Sequence, residues 1–228
     1  VRRPAEASGP VDAVIFDMDG LLLDSERLSR EALVRAGAAM GYRVTDAFYR
    51  LTIGAPADRC RELLRHEFGP DCPAERLQAA HEACLHEMVA AGRLAIKEGA
   101  TELLDQLDRG RRKRAIATSS SAARARLHLR AVGLDRRFDE IVTRDDVARG
   151  KPAPDLFLEA ARRLAIAPAR CLVLEDSFNG VRAAEAAGMR VVMVPDLLDA
   201  DAEMRRTAQR VVRTLHEIGA CLVDLENA

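Results

Sequence analysis

VDAVIFDMDG, residues Val11–Gly20, is a near-continuous apolar run that ends in two aspartates and a glycine. A strand buried on both faces reads this way, and such strands belong to parallel sheets. Four further short runs follow: KRAIATSS (Lys113–Ser120), EIVTR (Glu140–Arg144), RCLVLED (Arg170–Asp176) and RVVMVPD (Arg190–Asp196). Between them, Ala122–Ala131 and Pro154–Ala165 carry apolar residues at three- and four-residue spacing, the pattern of an amphipathic helix. Gly133 follows the first of these helices. Ser177 is placed to cap the next helix, with Gly188 as a stop after Val181–Ala187. Alternating strand and helix predicts an α/β fold built on a doubly wound parallel sheet.

One connection breaks this rhythm. Roughly ninety residues separate the first run from the second, far more than the short loops and single helix of a βα unit. Ser29–Met40, Pro56–Glu67 and Ala74–Ala91 within it are rich in Ala, Leu, Arg and Glu, all good helix formers. Gly41, Gly54, Gly69 and Gly92 punctuate them. The expected organisation is a core of residues 11–21 and 97–228, a separate all-helical insert over 22–96, and a frayed tail over 1–10. The segment from Asp199 onward reads as a helix plus a short strand.

Composition excludes several classes. The 228 residues carry 35 Lys and Arg against 36 Asp and Glu, and 48% are apolar. That is too apolar for intrinsic disorder and lacks the basic excess of a dedicated nucleic-acid binder. Five cysteines without a CxxC pair suggest reduced thiols and a cytoplasmic setting rather than a disulfide framework. No apolar run approaches the roughly 20 residues that cross a bilayer, and VRRPAEASGP has no secretory apolar region. A soluble monomer without nucleic-acid or membrane partners is expected.

Polar residues collect at the same end of nearly every run: Asp17, Asp19 and Gly20 after the first, Thr118, Ser119 and Ser120 after the second, Lys151 beyond the third, and Glu175 and Asp176 after the fourth. The carboxyl ends of parallel strands share one edge, where α/β proteins bind ligands. Clustered carboxylates need a cation, and an all-oxygen set without His or Cys suits Mg²⁺. Lys151 and the Thr118 hydroxyl could then hold the oxygens of a phosphoryl group. One aspartate could attack phosphorus, and a second, two residues on and on the same side of an extended chain, could move the proton. DMDG is no calcium loop, because Gly20 comes too early for an EF-hand. The basic run Arg109–Arg114 reads as a solvated helix end. His81, Cys84 and His86 lie close in one helix but lack the spacing of a zinc site.

FDMDGLLLDSE (Phe16–Glu26), ATSSS (Ala117–Ser121), KPAPD (Lys151–Asp155) and LEDSFNG (Leu174–Gly180) resemble, in order, the four motifs of the haloacid dehalogenase-like superfamily. The helical insert is similar to the cap of the β-phosphoglucomutase-like phosphatase branch. The resemblance implies Asp17 as nucleophile, Asp19 as general acid and base, and Thr118 and Lys151 as phosphoryl-binding catalytic residues. It implies Mg²⁺ held by Asp17, Asp19 through its main-chain carbonyl, Asp176 and Glu175. Gly20 and Ser119 join the substrate-binding set. Dehalogenating members lack the second aspartate, so Asp19 points to phosphoryl transfer.

Departures from the mutases of this branch favour a phosphatase for a small phosphorylated metabolite, a sugar phosphate foremost. Ser29 stands at the position of a mutase His, Ala57 at that of a phosphate-clamping Arg, and Ser121 and Ala122 at a Lys-Asn pair. Arg59 or Arg61 could replace the clamp, which keeps a mutase as the alternative. A receiver-like phospho-aspartate signalling domain is a further alternative; such domains are about half as long and carry no helical insert.

Overall fold

The computed structural model of the protein describes residues 10–226, with side chains as far as residue 222. The expected tail over 1–10 lies almost entirely outside the described residues. In chain order the elements are β1 (Ala13–Phe16), α1 (Ser25–Ala39), α2 (Asp46–Thr52), α3 (Ala57–Phe68), α4 (Ala74–Ala90), α5 (Ala100–Arg109), β2 (Lys113–Ala117) and α6 (Ala122–Ala131). Then follow β3 (Glu140–Val142), α7 (Asp155–Leu164), β4 (Cys171–Glu175), α8 (Phe178–Ala186), β5 (Arg190–Met193), α9 (Ala202–Thr207), β6 (Arg210–Val211) and α10 (Ile218–Glu226).

The six strands form one sheet in the order β3-β2-β1-β4-β5-β6, and every pair is parallel. From β1 the chain winds outward to β2 and β3, then crosses to β4 and winds the other way. The switch point is the gap between β1 and β4, where this class of fold opens its ligand crevice. Register keeps the central strand ends level: Phe16 lies opposite Ile116 on β2 and Leu174 on β4.

Pleating sorts the strand residues by parity. Val14, Phe16, Ile116, Leu172 and Leu174 face one helical layer together with Leu103, Leu104, Leu107 and Leu129 of α5 and α6. Ala13, Ile15, Ala115, Cys171 and Val173 face the other, against Leu156, Phe157 and Ala160 of α7 and Val181 of α8. Each fully buried large apolar side chain contributes about 1.5–3 kcal/mol. Such two-sided burial is why the strands are nearly free of polar residues until their ends. Ser177 caps α8 by accepting from the Gly180 amide, and Gly188 follows that helix at φ +69°.

The helical insert leaves and rejoins the core side by side. The Asp24 amide donates to Ala95 O at 2.9 Å, and the Lys97 amide to Leu22 O at 2.8 Å. A small cluster of Leu33, Val44, Phe48, Tyr49, Leu64 and Leu77 sits within it. Its separation from the core is incomplete, however: Leu28 and Ala32 of α1 and Leu85, Met88 and Val89 of α4 belong to the main apolar cluster. Sequence inspection missed α2, a seven-residue helix capped by Thr45. The run Arg109–Arg114 spans the end of α5, the turn and the start of β2; Arg112 donates to Val11 O at 2.6 Å and Arg114 pairs with Asp108. Among the described residues, no helix is long and apolar enough to cross a membrane.

A capping box after β3 fixes one wall of the crevice. Asp146 Oδ2 accepts from the Thr143 amide (2.8 Å) and hydroxyl (2.7 Å), and Oδ1 from Arg163 (2.6 Å). Burial pulls the Asp146 carboxyl upward, but Arg163 and Thr143 outweigh it and push its pKa down from 3.8 to about 2. A depressed carboxylate stabilises the fold above its unfolded pKa, and that contribution fades as pH falls through the folded one. With allowance for solvent screening of a partly exposed pair, Asp146→Asn is expected to cost about 1–2 kcal/mol at neutral pH. Urea unfolding at stepped pH should show this difference shrinking between about pH 4 and pH 2.

Candidate active site

Polar residues that follow β1, β2 and β4 meet Lys151 at one cavity of about 860 Å³ between the sheet rim and the helical insert. Asp17, Asp19, Thr118, Ser119, Lys151 and Asp176 line it, as does Arg61 from α3. The size suits a small metabolite.

Asp17 lies one residue beyond β1 and is almost buried. Lys151 donates to its Oδ1, and donates again to Glu175 Oε1 at 2.6 Å. Lys151 comes from the loop before α7, and its ammonium also sits 4.9 Å from the Phe157 ring centre. Burial raises the Asp17 carboxyl well above the usual range, against the pull of Lys151 and with added repulsion from Glu175. Burial works against the Lys151 ammonium, yet Asp17 and Glu175 outweigh it and keep it firmly charged. Asp176 is pushed well up by burial, then by repulsion from Glu175 and Asp17.

Asp19 lines the same cavity as Asp17 but has its own partners. β1 ends at Phe16, and Gly20 turns the backbone at φ +85°. The two aspartates have different partners. Asp19 turns to α1 and α6, accepting from Ser25 Oγ and Ser120 Oγ, both at 2.7 Å. Arg124 Nη2 stands 3.7 Å away and His128 Nδ1 3.6 Å. Burial opposes ionisation of Asp19, but Arg124, His128 and the Ser120 hydroxyl hold its carboxyl far below the usual range. Gly20 is required by its neighbours as well as its φ, because an added Cβ would overlap Asp176 Oδ2. Thr118 is buried, and its Oγ1 accepts from the Ser120 amide at 3.0 Å.

Three expected site residues do not line the cavity: Glu175, Arg59 and Gly20, the last of which serves the turn after Asp19. Glu175 was expected beside Asp176 as a ligand, but it is still part of β4 and shares the parity of Cys171 and Val173. Its carboxylate therefore points to the α7/α8 layer, not into the cavity. Oε1 accepts from Lys151, and Oε2 from the Ser177 amide (2.9 Å) and hydroxyl (3.0 Å). A Cβ on Gly180 would overlap it. Arg59 pairs with Glu62 at 2.7 Å on the exposed side of α3 and does not line the cavity. Arg61, two positions on, occupies the other helix face and donates to Gln78 at 3.0 Å.

Sequence reading missed Arg124 and His128. They stand four residues apart on α6 and therefore share a face; that spacing after the serine run was the available signal. Ser29 does line the cavity, and His81 Nε2 from α4 lies 3.0 Å from its Oγ. Burial lowers the His81 pKa. Cys84 Sγ faces Met88 instead of a metal site, and among the described residues no three His, Cys, Asp or Glu side chains form a ready metal cage.

Known proteins are similar to this chain in sequence and fold. Protein CbbY of Cereibacter sphaeroides is 34% identical over 222 residues, covering 92% of this chain and 94% of that protein. A phosphorylated carbohydrates phosphatase of Thermotoga maritima is 33% identical over 206 residues, covering 89% and 94%. The crystal structure of CbbY from Rhodobacter sphaeroides in complex with phosphate superposes with a TM-score of 0.80 at 30% identity, covering 94% of this chain and 99% of that one. The family model of haloacid dehalogenase-like hydrolases matches residues 11–188. With that span taking in the sheet's first four strands and the whole cavity rim, the chain belongs to the haloacid dehalogenase-like hydrolases.

Proposed function

We propose that the chain is a Mg²⁺-dependent phosphatase of small phosphorylated metabolites, sugar phosphates foremost, working through a phosphoryl group carried transiently on Asp17. The observation that carries this reading is the meeting of Asp17, Asp19, Thr118, Lys151 and Asp176 at one cavity. The phosphorylated carbohydrates phosphatase among the relatives supports the substrate class.

The donor set fits Mg²⁺. Asp17 and Asp176 are both buried carboxylates held above their ordinary range, Asp176 in part by repulsion from Asp17, and a hard cation relieves that repulsion. Mg²⁺ is commonly held by one or two carboxylates plus water and substrate oxygens, so a complete protein cage is not needed. Asp17, Asp176 and the main-chain carbonyl of Asp19 are its ligands in this reading; Glu175 positions Lys151 instead. When bound, the ion neutralises charge on the carboxylates and phosphoryl oxygens.

Asp17 attacks phosphorus while Lys151, Thr118 and the Ser119 segment hold the phosphoryl oxygens. Asp19 gives a proton to the departing alcohol oxygen and then takes one from the attacking water. Arg124 and His128 favour its carboxylate form, which suits the water step. The negative charge of an arriving phosphoester works against that bias and favours the proton-donating form.

A panel of phosphorylated metabolites, scored by released phosphate, tests the proposal. Release with Mg²⁺, its loss in EDTA and its return on adding Mg²⁺ are expected. Undiminished release in EDTA would remove the metal from the reading. A mutase reading has one specific support, Arg61 on the cavity wall. Migration of phosphate between sugar positions, in place of free phosphate, would favour it.

A further inference from the structure

Lys151 serves both Asp17 and Glu175, yet the chain that delivers it is irregular. Between the short helical turn Arg144–Asp146 and the start of α7, residues 147–154 form no helix or strand. The two ion pairs fix the tip of the lysine side chain. The backbone beneath it has to be held by other groups if the ammonium is to stay in one place.

Arg144 supplies that hold. It ends the run EIVTR, lines the cavity and has no part in the reaction proposed above. Its amide donates to Ser120 O at 3.0 Å, which ties it to the rim after β2. Its side chain then runs along the loop. Nη1 donates to Val147 O at 2.7 Å and Nη2 to Ala148 O at 3.2 Å. The stem lies against Gly150, where an added Cβ would stand 3.2 Å from Arg144 Cδ and Nε. One side chain therefore meets residues 147, 148 and 150, and the last of these is the neighbour of Lys151.

A planar guanidinium can serve two carbonyls at once, which a single ammonium does poorly. Here both carbonyls belong to the backbone, so the contacts act on the path of the chain. Hydrogen bonds from a charged donor are also about twice as strong as neutral ones. The other braces of this loop lie elsewhere. Asp146, with Thr143 and Arg163, holds only its start. Arg149 pairs with Asp155 farther out, with its side chain 70% exposed, and such a pair holds little.

We propose that Arg144 is a positioning residue that sets the loop carrying Lys151, so that the ammonium meets the phosphoryl oxygens. This deepens the phosphatase reading and rests on it for its catalytic consequence.

Two readouts on the full-length protein test this. Lys97, Lys113 and Lys151 are the chain's only lysines. Amine acetylation followed by mass spectrometry therefore reports on Lys151 with two internal references. Lys151 is buried and paired in the parent, and should label slowly. In Arg144→Met, local opening of the loop should raise Lys151 labelling by at least about tenfold, with Lys97 and Lys113 unchanged. With Mg²⁺ and the best substrate of the metabolite panel, kcat should fall about 10²-fold, as for a catalytic group misplaced by about 1 Å. Arg144→Lys keeps the charge but loses the fork. It should lie between the parent and the Met variant in both readouts, and serves where the Met variant does not fold. Unchanged Lys151 labelling would overturn the inference, and a fall in kcat alone would then place Arg144 on the substrate. Equal gains at all three lysines would overturn it too, by showing a role in overall stability. So would selective labelling with undiminished release. Should the parent release no phosphate from any substrate, the phosphatase reading falls, while the labelling still decides whether Arg144 holds Lys151.

Discussion

Asp17→Asn is expected to reduce phosphate release by at least about 10³-fold, because the amide oxygen is too weak a nucleophile to form the phosphoryl bond. The substitution is nearly isosteric, and Lys151 can still donate to the retained oxygen. It also removes one member of a crowded acidic group whose carboxyls are raised by burial and mutual repulsion. The variant should therefore fold at least as stably as the parent. Rapid-quench assays and calorimetric titration with phosphate separate chemistry from binding. Activity within tenfold of the wild type would remove Asp17 from the reaction and end the proposed mechanism.

Lys151→Met should damage both stability and activity. Lys151 is the cation that Asp17 and Glu175 share, and all three are buried. Removing one partner of a buried ionic group leaves uncompensated charge and costs about 3–5 kcal/mol. Here two carboxylates lose their partner together. Asp17 is already held above its ordinary range by burial, so the variant regains stability by protonating it. A group with a raised folded pKa supplies its stability at low pH and loses it as pH rises. The deficit in urea unfolding should thus be largest at alkaline pH and shrink under acidic conditions. Phosphate release should fall at least about 10³-fold, since a principal phosphoryl-oxygen cation is gone. A deficit that does not vary with pH would show that Lys151 matters by packing on Phe157, not by charge.

Both substitutions act on residues legible without coordinates. Asp17 and Lys151 stand out because polar residues abruptly end or follow runs that are otherwise apolar, and parallel strands bring those ends to one edge. The helical insert was legible from its length and its Ala, Leu, Arg and Glu content. The short helix α2 was not, since seven residues show barely two turns of periodicity. Arg124 and His128 were hidden in an ordinary amphipathic helix, where a basic residue reads as solvated surface.

By itself, the sequence determined the parallel α/β core, the inserted helices and which carboxylates, hydroxyls and lysine follow the strands. Local apolar patterning is dictated by burial, so it survives in one dimension. Tertiary structure alone decided how those polar side chains divide their work. Glu175 faces the α7/α8 layer because β4 extends through it, whereas Asp19, beyond the end of β1, is held by Ser25 of α1 and Ser120. A residue's partner depends on where the strand stops and which helix packs there, and that is a property of the assembled layers.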